Sequence, residues 1–290
     1  MMERTSEAVV RRAAAPRPDD AHKGTMGTLL SVCGCYGMAG ACMLSSRAAL
    51  RSGIGLLKCA LPKSIYPILA GSVPESVYLP LEENADGRIA ARGLPYLLEQ
   101  AADAVLLGCG ISVCDDTRTL TRGFIRQCAK PMVLDADALN CIAADPSVLR
   151  GAQAPVIITP HPAEMGRLLG VSARDVNADR ENTARSFAAR YGVVVVLKGA
   201  GTVIAAPDGK ALINMTGNSG MATGGSGDVL AGICAALLAQ GSAPFDCAAA
   251  AVYLHGLAGD FAAEKLGRTS MLPSDIIEEL PKAFMTCGIN

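Results

Sequence analysis

Short apolar runs recur along the chain, each followed by a segment whose apolar positions fall at helical spacing. They lie at Thr28–Cys33, Leu56–Leu61, Ser76–Leu79, Ala104–Leu107, Met132–Leu134, Val156–Thr159 and Val193–Leu197. Runs without polar alternation are the pattern of strands covered on both faces, so they predict a mostly parallel sheet with helices on either side. Thr202–Ala206 and Ala211–Asn214 flank Pro207-Asp208-Gly209-Lys210, a turn sequence, and predict a hairpin at one sheet edge. Three helices are expected after it: Val229–Gln240, Pro244–Leu266 with proline in its first turn, and Asp275–Phe284 capped by Ser274. Residues 1 to about 20 lack such a run and read as a loose or peripheral arm. The expected organisation is therefore an N-terminal arm over 1–22 and a single α/β domain over 23–290.

Composition narrows the partners. The chain has 290 residues, half of them hydrophobic, which is enough for a sizeable core. A formal net charge of −1 offers no basic field for nucleic acid or anionic lipid. Small molecules are the expected partners. The 31 glycines exceed the usual share of about 7% and suit tight turns and backbone-lined sites. The eleven cysteines are odd in number, sit mostly among apolar residues and include no CxxC pair. They read as small buried thiols of a reducing cytoplasm. The N-terminus shows no apolar export signal, and no apolar run reaches the roughly 20 residues that span a bilayer.

The most informative stretch is Asn218-Ser219-Gly220-Met221-Ala222-Thr223-Gly224-Gly225-Ser226-Gly227-Asp228. Its glycines allow positive φ and close approach of bare N–H groups, and it runs into a helix whose first amides lack intrahelical partners. The helix dipole adds partial positive charge there, so the segment predicts a phosphate site. An acid at Asp228 would repel that ligand, a cost that makes sense for a base taking a proton from an attacking hydroxyl. The plainer reading is a first-turn acid beside a tight turn. No Lys-Ser or Lys-Thr follows the last glycine, so the segment is not a Walker A loop.

Polar residues also gather at the ends of the predicted strands, where parallel sheets bind ligands. These are Gly108-Cys109-Gly110, Asp135-Ala136-Asp137, Thr159-Pro160-His161-Pro162-Ala163-Glu164 and Lys198-Gly199-Ala200-Gly201-Thr202. Gly108 and Gly110 serve a tight turn or a ligand. Asp135 and Asp137 read equally as helix caps or ligand contacts. His161, held between two prolines, is expected to touch a ligand, and Glu164 reads as a first-turn acid. Lys198 surfaces from a buried strand, to meet phosphate or solvent.

These blocks, in their order, carry a resemblance. Lys23-Gly24, Met38-Ala39-Gly40-Ala41, Ala49-Leu50-Arg51-Ser52-Gly53, Leu107-Gly108-Cys109-Gly110, Leu134-Asp135-Ala136-Asp137-Ala138-Leu139, Thr159-Pro160-His161-Pro162-Ala163-Glu164, Leu197-Lys198-Gly199-Ala200-Gly201-Thr202 and the glycine run to Asp228 resemble the ADP/ATP-dependent NAD(P)H-hydrate dehydratases. The likeness extends over nearly all of 23–281, without the epimerase domain fused in some members. It implies a ribokinase-like fold and repair of hydrated NADH or NADPH with ADP or ATP as phosphoryl donor, ADP being usual in bacterial members. It also implies that Ala41, Gly110, His161 and Asp228 hold the hydrated dinucleotide. Lys198, Gly199, Ala200, Gly201 and Thr202, with Gly224, Gly225, Ser226 and Gly227, would hold the adenine nucleotide. Glu164 would orient Mg²⁺ through water, and Asp228 would act as the catalytic base. A cytoplasmic homo-oligomer is implied as well.

Some positions depart from the family pattern. Cys33-Gly34-Cys35 stands where Gly-Gly-Ser is common, Asn218-Ser219-Gly220-Met221 where Asn-Pro-Gly-Met is, and Cys109 and Ser112 where Pro and Gly are frequent. Neither of the first two removes a charge or a glycine from the predicted phosphate loop. Two other readings use the same residues. A ribokinase-like kinase of a vitamin alcohol would share the loop and the acid but release a stable phosphate ester, and a nucleotide sensor would bind without turnover.

Overall fold

The structure, a computed structural model, describes residues 2–14 and 16–289. Met1, Ala15 and Asn290 lie outside the described residues. The chain starts with β1 (Glu3–Arg4) and α1 (Glu7–Ala13), then alternates through β2 (Thr28–Val32), α2 (Ala39–Arg51), β3 (Leu56–Pro62), α3 (Tyr66–Ser72) and β4 (Val77–Leu81). It continues through α4 (Leu94–Leu98), β5 (Ala104–Leu107), α5 (Asp115–Gln127), β6 (Met132–Leu134), α6 (Asp137–Ile142) and β7 (Val156–Ile158). After α7 (Pro162–Leu169), α8 (Ala173–Ala178) and α9 (Arg180–Tyr191) come β8 (Val194–Leu197), β9 (Thr202–Ala205) and β10 (Ala211–Asn214). Three helices close the chain: α10 (Ser226–Ala239), α11 (Pro244–Leu266) and α12 (Pro273–Thr286).

The strands form one ten-stranded sheet in the order β1-β10-β9-β8-β7-β6-β5-β2-β3-β4. Among the described strands only β9 runs against its neighbours, pairing antiparallel with β8 and β10. Alternate strand residues feed two cores. Leu29, Leu57, Leu106, Val133, Ile157 and Val196 face the side built with α1, α2, α10, α11 and α12. Leu30, Val105, Leu107, Leu134, Ile158 and Val195 face the side built with α4 to α9. Both faces are apolar, which explains why the strands read as unbroken hydrophobic runs. The mostly parallel, doubly covered α/β sheet is as expected.

Three expectations need correction. The N-terminal segment is not loose: β1 pairs with β10 in parallel, and Val9 and Val10 of α1 are buried against α11. Thr5 secures the edge, its N–H donating to Ile213 O and its hydroxyl to Asn214 Oδ1 at 2.6 Å. A two-residue strand carries too little apolar patterning to stand out, yet it covers an otherwise bare sheet edge. Ser274 does not cap α12, which starts at Pro273; the entry is held by Asp275, whose carboxylate accepts the Leu272 N–H at 2.7 Å. Finally α10 starts at Ser226 rather than Val229, because Gly225 with φ of 99° makes the turn that its apolar periodicity does not mark. That shift puts Asp228 inside the first helical turn.

Candidate active site

The sheet order reverses between β2 and β5. The chain runs outward from β2 to β4 and returns to β5 on the other side of β2, so the segments after β2 and β5 diverge and leave a crevice. Gly34 N–H donates to Cys109 O at 2.8 Å across it. On its wall, a Cβ built on Gly110 (φ 66°) would lie 2.8 Å from the Ala41 Cβ and 3.1 Å from Met38 O. Ala41 and Gly110 therefore pack against each other at the start of α2, an approach that any side chain at position 110 would block.

Above the crevice stands the N-terminus of α10. No side chain caps this helix. The Ser226 N–H reaches Thr223 O at 3.3 Å, while Gly227 and Asp228 have no backbone acceptor among the described residues. Thr223 and Gly224 are exposed on the approach to these amides. The Ser226 hydroxyl lies 3.3 Å from Nε2 of His255, a buried histidine on α11 that burial, with the Lys198 charge, pushes down to about 4. The His255 ring is thus neutral and adds no charge to the helix end.

Beneath this turn lies a compact group of charges. Lys198, leaving β8, puts Nζ 2.8 Å from Asp135 Oδ1 and 3.9 Å from Glu164 Oε2. A Cβ on Gly227 would fall 3.2 Å from that ammonium, so glycine lets a full positive charge sit against the helix turn. Burial pushes the Lys198 ammonium down, but the Asp135 and Glu164 carboxylates more than offset it, and its proton affinity ends above the ordinary value. Asp135 also accepts the Thr159 hydroxyl at 2.7 Å. Asp228 reaches down towards the same group: its carboxylate, that of Asp135 and the Cys109 thiol all lie within 4.8 Å of one another. Burial, followed by the Asp135 charge, raises Asp228 to about 7. That is the range in which a carboxylate serves as a general base.

The other predicted residues fall as follows. His161 is the N-cap of α7: its Nδ1 accepts the N–H groups of Ala163 (3.1 Å) and Glu164 (3.3 Å), while its own N–H donates to Glu164 Oε2 at 2.8 Å. Nδ1 acting as acceptor puts the ring proton on Nε2, 3.3 Å from Glu164 Oε1. Burial, then the Lys198 and Arg167 charges, lowers the His161 affinity for a second proton. Glu164 is buried beside this cap, and burial raises its carboxyl above the ordinary range. Gly199 and Ala200 are exposed on the β8–β9 turn, and Gly201 and Thr202 are half-buried there. Thr202 Oγ1 donates to Gly199 O at 3.0 Å.

Sequence reading missed two supports and left one open. Arg180 holds the β8–β9 turn from below by donating to Leu197 O and Ala200 O, both at 2.8 Å, and an isolated arginine at a helix start gives no hint of that. His255 lies in an alanine-rich helix far along the chain from Ser226. Asp135, read equally as cap or contact, turns out to be a buried ion-pair partner. A clue to it lies in the backbone: Ala136 has φ of 49°, a conformation non-glycine residues seldom adopt and one that clusters at functional sites.

The sheet order and the uncapped helix over its reversal make this a ribokinase-like α/β fold. A ribokinase-like superfamily protein from Enterococcus faecalis superposes with a TM-score of 0.82 at 29% identity, covering 99% of this chain and 96% of that one. The sequence is more specific: the family described as NAD(P)H-hydrate dehydratase matches residues 29–282, and the chain belongs to it. An ADP-dependent (S)-NAD(P)H-hydrate dehydratase of Neisseria meningitidis is 40% identical over 87% of this chain and 82% of its own length. A bifunctional NAD(P)H-hydrate repair enzyme of Moorella thermoacetica is 44% identical over 93% of this chain, which spans about half (52%) of that longer protein. The Bacillus subtilis ADP/ATP-dependent NAD(P)H-hydrate dehydratase, co-crystallised with ATP and Mg²⁺, superposes with a TM-score of 0.86 at 32% identity, covering 99% of both chains.

Proposed function

We propose that this chain is a nucleotide-dependent dehydratase that restores hydrated NADH and NADPH, with ADP as the phosphoryl donor. The observation that carries the reading is Asp228, raised to about 7 and standing in the first turn of a helix where its own amide and that of Gly227 find no partner among the described residues. Family membership and the Neisseria relative's ADP dependence support the substrate and the donor.

Hydroxide is a poor leaving group, because water has a pKa near 15.7. The ring hydroxyl of the hydrate is therefore made into a better one. Its oxygen attacks the terminal phosphorus of the donor, its proton passes to Asp228, and AMP departs. The ring nitrogen's electron pair then expels phosphate as the C–O bond breaks, and loss of a proton from the adjacent carbon restores the dihydronicotinamide. The amides of Gly225, Ser226, Gly227 and Asp228, backed by the Lys198 ammonium, hold the charge on the transferring group without needing to reorganise. Ala41, Gly110 and His161 hold the hydrated dinucleotide in the crevice. Lys198 to Thr202 and Gly224 to Gly227 hold the nucleotide, with residues 23–290 acting as one catalytic domain whose sheet edge β1 extends.

Mg²⁺ fits this site through water. Glu164 offers hard oxygens suited to Mg²⁺, but Oε2 accepts the His161 N–H at 2.8 Å and Oε1 lies 3.3 Å from the His161 Nε2, so both oxygens are engaged by His161 and a metal-bound water would reach them without displacing the cap. Bound there, the ion would screen the donor phosphates. Eleven free cysteines, all but Cys114 buried, support a reducing cytoplasm, and the family resemblance supports a homo-oligomer. Among the described residues no helix is long and apolar enough to cross a membrane.

The direct test incubates the protein with hydrated NADH, Mg²⁺ and either ADP or ATP while following reduced-nicotinamide absorbance and products. Recovery of that absorbance with stoichiometric inorganic phosphate, faster with ADP, is the expected outcome. A stable phosphorylated product would make the chain a kinase instead, and binding without turnover would make it a sensor.

A further inference from the structure

Asp135 is the charged group of the site that the proposed chemistry leaves without a task. Its side chain is 2% exposed, so it cannot reach a ligand in the crevice. It is nonetheless built in with care. A Cβ on Gly108 (φ 129°) would lie 1.9 Å from Asp135 O, so the β5 and β6 ends can approach this closely only through a glycine. Ala136 takes its unusual φ directly after it, and the chain then turns Asp137 back to accept the Ser112 N–H at 2.8 Å. Asp135 Oδ1 is fixed by the Thr159 hydroxyl and the Lys198 ammonium, leaving Oδ2 directed towards Cys109 Sγ at 4.0 Å.

The groups facing Asp228 come from several elements. Cys109 follows β5, Asp135 and Asp137 follow β6, and Lys198 follows β8. The Cys33 thiol backs Cys109, and the neutral His255 of α11 meets the same helix turn through Ser226. Among them Asp135 and Lys198 are a bonded pair of opposite charge, and their placement decides the field at Asp228.

We propose that Asp135 is a positioning residue that poises Asp228 as a base: it keeps a fixed negative charge beside Asp228 and ties the Lys198 ammonium beneath the α10 turn. This rests on Asp228 being the base and adds the fixed charge that, together with burial, poises it. Two carboxylates within 4.8 Å of each other in a buried site do not both ionise easily, so the partly accessible one keeps its proton to higher pH. Asp135 is the one tied to the Lys198 ammonium. Asp135 thus spends its charge on Lys198 and Asp228 rather than on any substrate.

The test is a ¹³C NMR titration of aspartate carboxyl carbons in the ligand-free protein, with the Asp228 signal assigned by its loss in Asp228→Asn. In Asp135→Asn, which can still hydrogen-bond Thr159, the Asp228 midpoint should fall by about one pH unit or more. The acidic limb of kcat/KM should move with it. A role confined to structure would lower stability and kcat together and leave both midpoints in place, and that result overturns the proposal. Should Asp135→Asn fail to fold, Lys198→Gln serves: with its cation removed, the Asp135 charge bears fully on Asp228 and the midpoint should rise. An unchanged or lower midpoint there refutes the idea equally. Because the titration needs no turnover, a chain inactive on hydrated NADH would defeat the proposed function while leaving this measurement decisive.

Discussion

Helices α7 and α10 both begin beyond the carboxyl ends of the sheet, yet their first turns are opposite in kind. At α7 the orphan amides are consumed from within: His161 Nδ1 accepts those of Ala163 and Glu164, and Glu164 returns the favour to the His161 N–H. Pro162 at the first helical position removes one donor altogether. At α10 the N-cap is Gly225, which has no side chain to offer, and the Gly227 and Asp228 amides find no partner among the described residues. One helix end is complete in itself and serves as a wall. The other is left incomplete, and the missing partner is an anion. The functional position is thus marked by what is withheld from the backbone rather than by what is added.

The largest effect should come from removing the one charge placed at the open end. Asp228→Asn should lower kcat about 100-fold to 10,000-fold, the usual worth of a general base, while donor and hydrate binding persist. Normal turnover in that variant would remove the base assignment. In the parent, kcat/KM should climb as pH rises through about 7, since the base works only when ionised. Stability moves the other way. The folded chain keeps the Asp228 proton up to about 7 whereas the unfolded chain releases it near 3.8, so unfolding free energy falls as pH rises across that window. Above pH 7, Asp228→Asn should therefore be more stable than the parent, by at most about 4 kcal/mol, and near pH 4 the difference should vanish. Thermal melts at the two pH values check this sign.

A smaller change closes the open end without touching the acid. Gly225→Ala forces a side chain onto φ of 99° and places a Cβ 2.6 Å from Leu44 Cδ1. The expected cost is about 1–3 kcal/mol of stability. Displacement of the amides should raise the donor KM about tenfold, the worth of one charge-assisted hydrogen bond. An unchanged donor KM would mean that the phosphate is held elsewhere.

The same contrast explains what could be read from the chain. Strand positions were legible because burial on both faces leaves unbroken apolar runs, as in Val193–Leu197, and the open helix end was legible because glycines are rarely spent in such density before an alanine-rich helix. The apolar periodicity starts α10 three residues late because Ser226, Gly227 and Asp228 carry none of it; the turn at Gly225 defines the helix, and the sequence shows only that it is possible. Asp135 stayed ambiguous for a different reason. Its partners, Thr159 and Lys198, come from other strands, and pairings across a sheet leave no local spacing to find. The same holds for Arg180 under the β8–β9 turn and for His255 beside Ser226.

The smallest effects separate the two tasks that His161 could perform at the closed end. As the N-cap of α7 its ring nitrogen satisfies two amides, and His161→Ala should cost about 1 kcal/mol, seen as a lower melting temperature. Asparagine can accept the same bonds from its side-chain oxygen, so His161→Asn should restore the melting temperature. It cannot restore a ligand contact made by the imidazole. The ring is 46% exposed, its acceptor nitrogen is used by the cap, and its affinity for a second proton is lowered by burial and the Lys198 charge, so it meets a ligand as a neutral surface. In His161→Asn the KM for hydrated NADH should rise about threefold to tenfold, with kcat little changed, the worth of one neutral contact. If stability and KM both return to the parent's values, His161 belongs wholly to the wall, and α7 contributes shape to the crevice but no grip on the substrate.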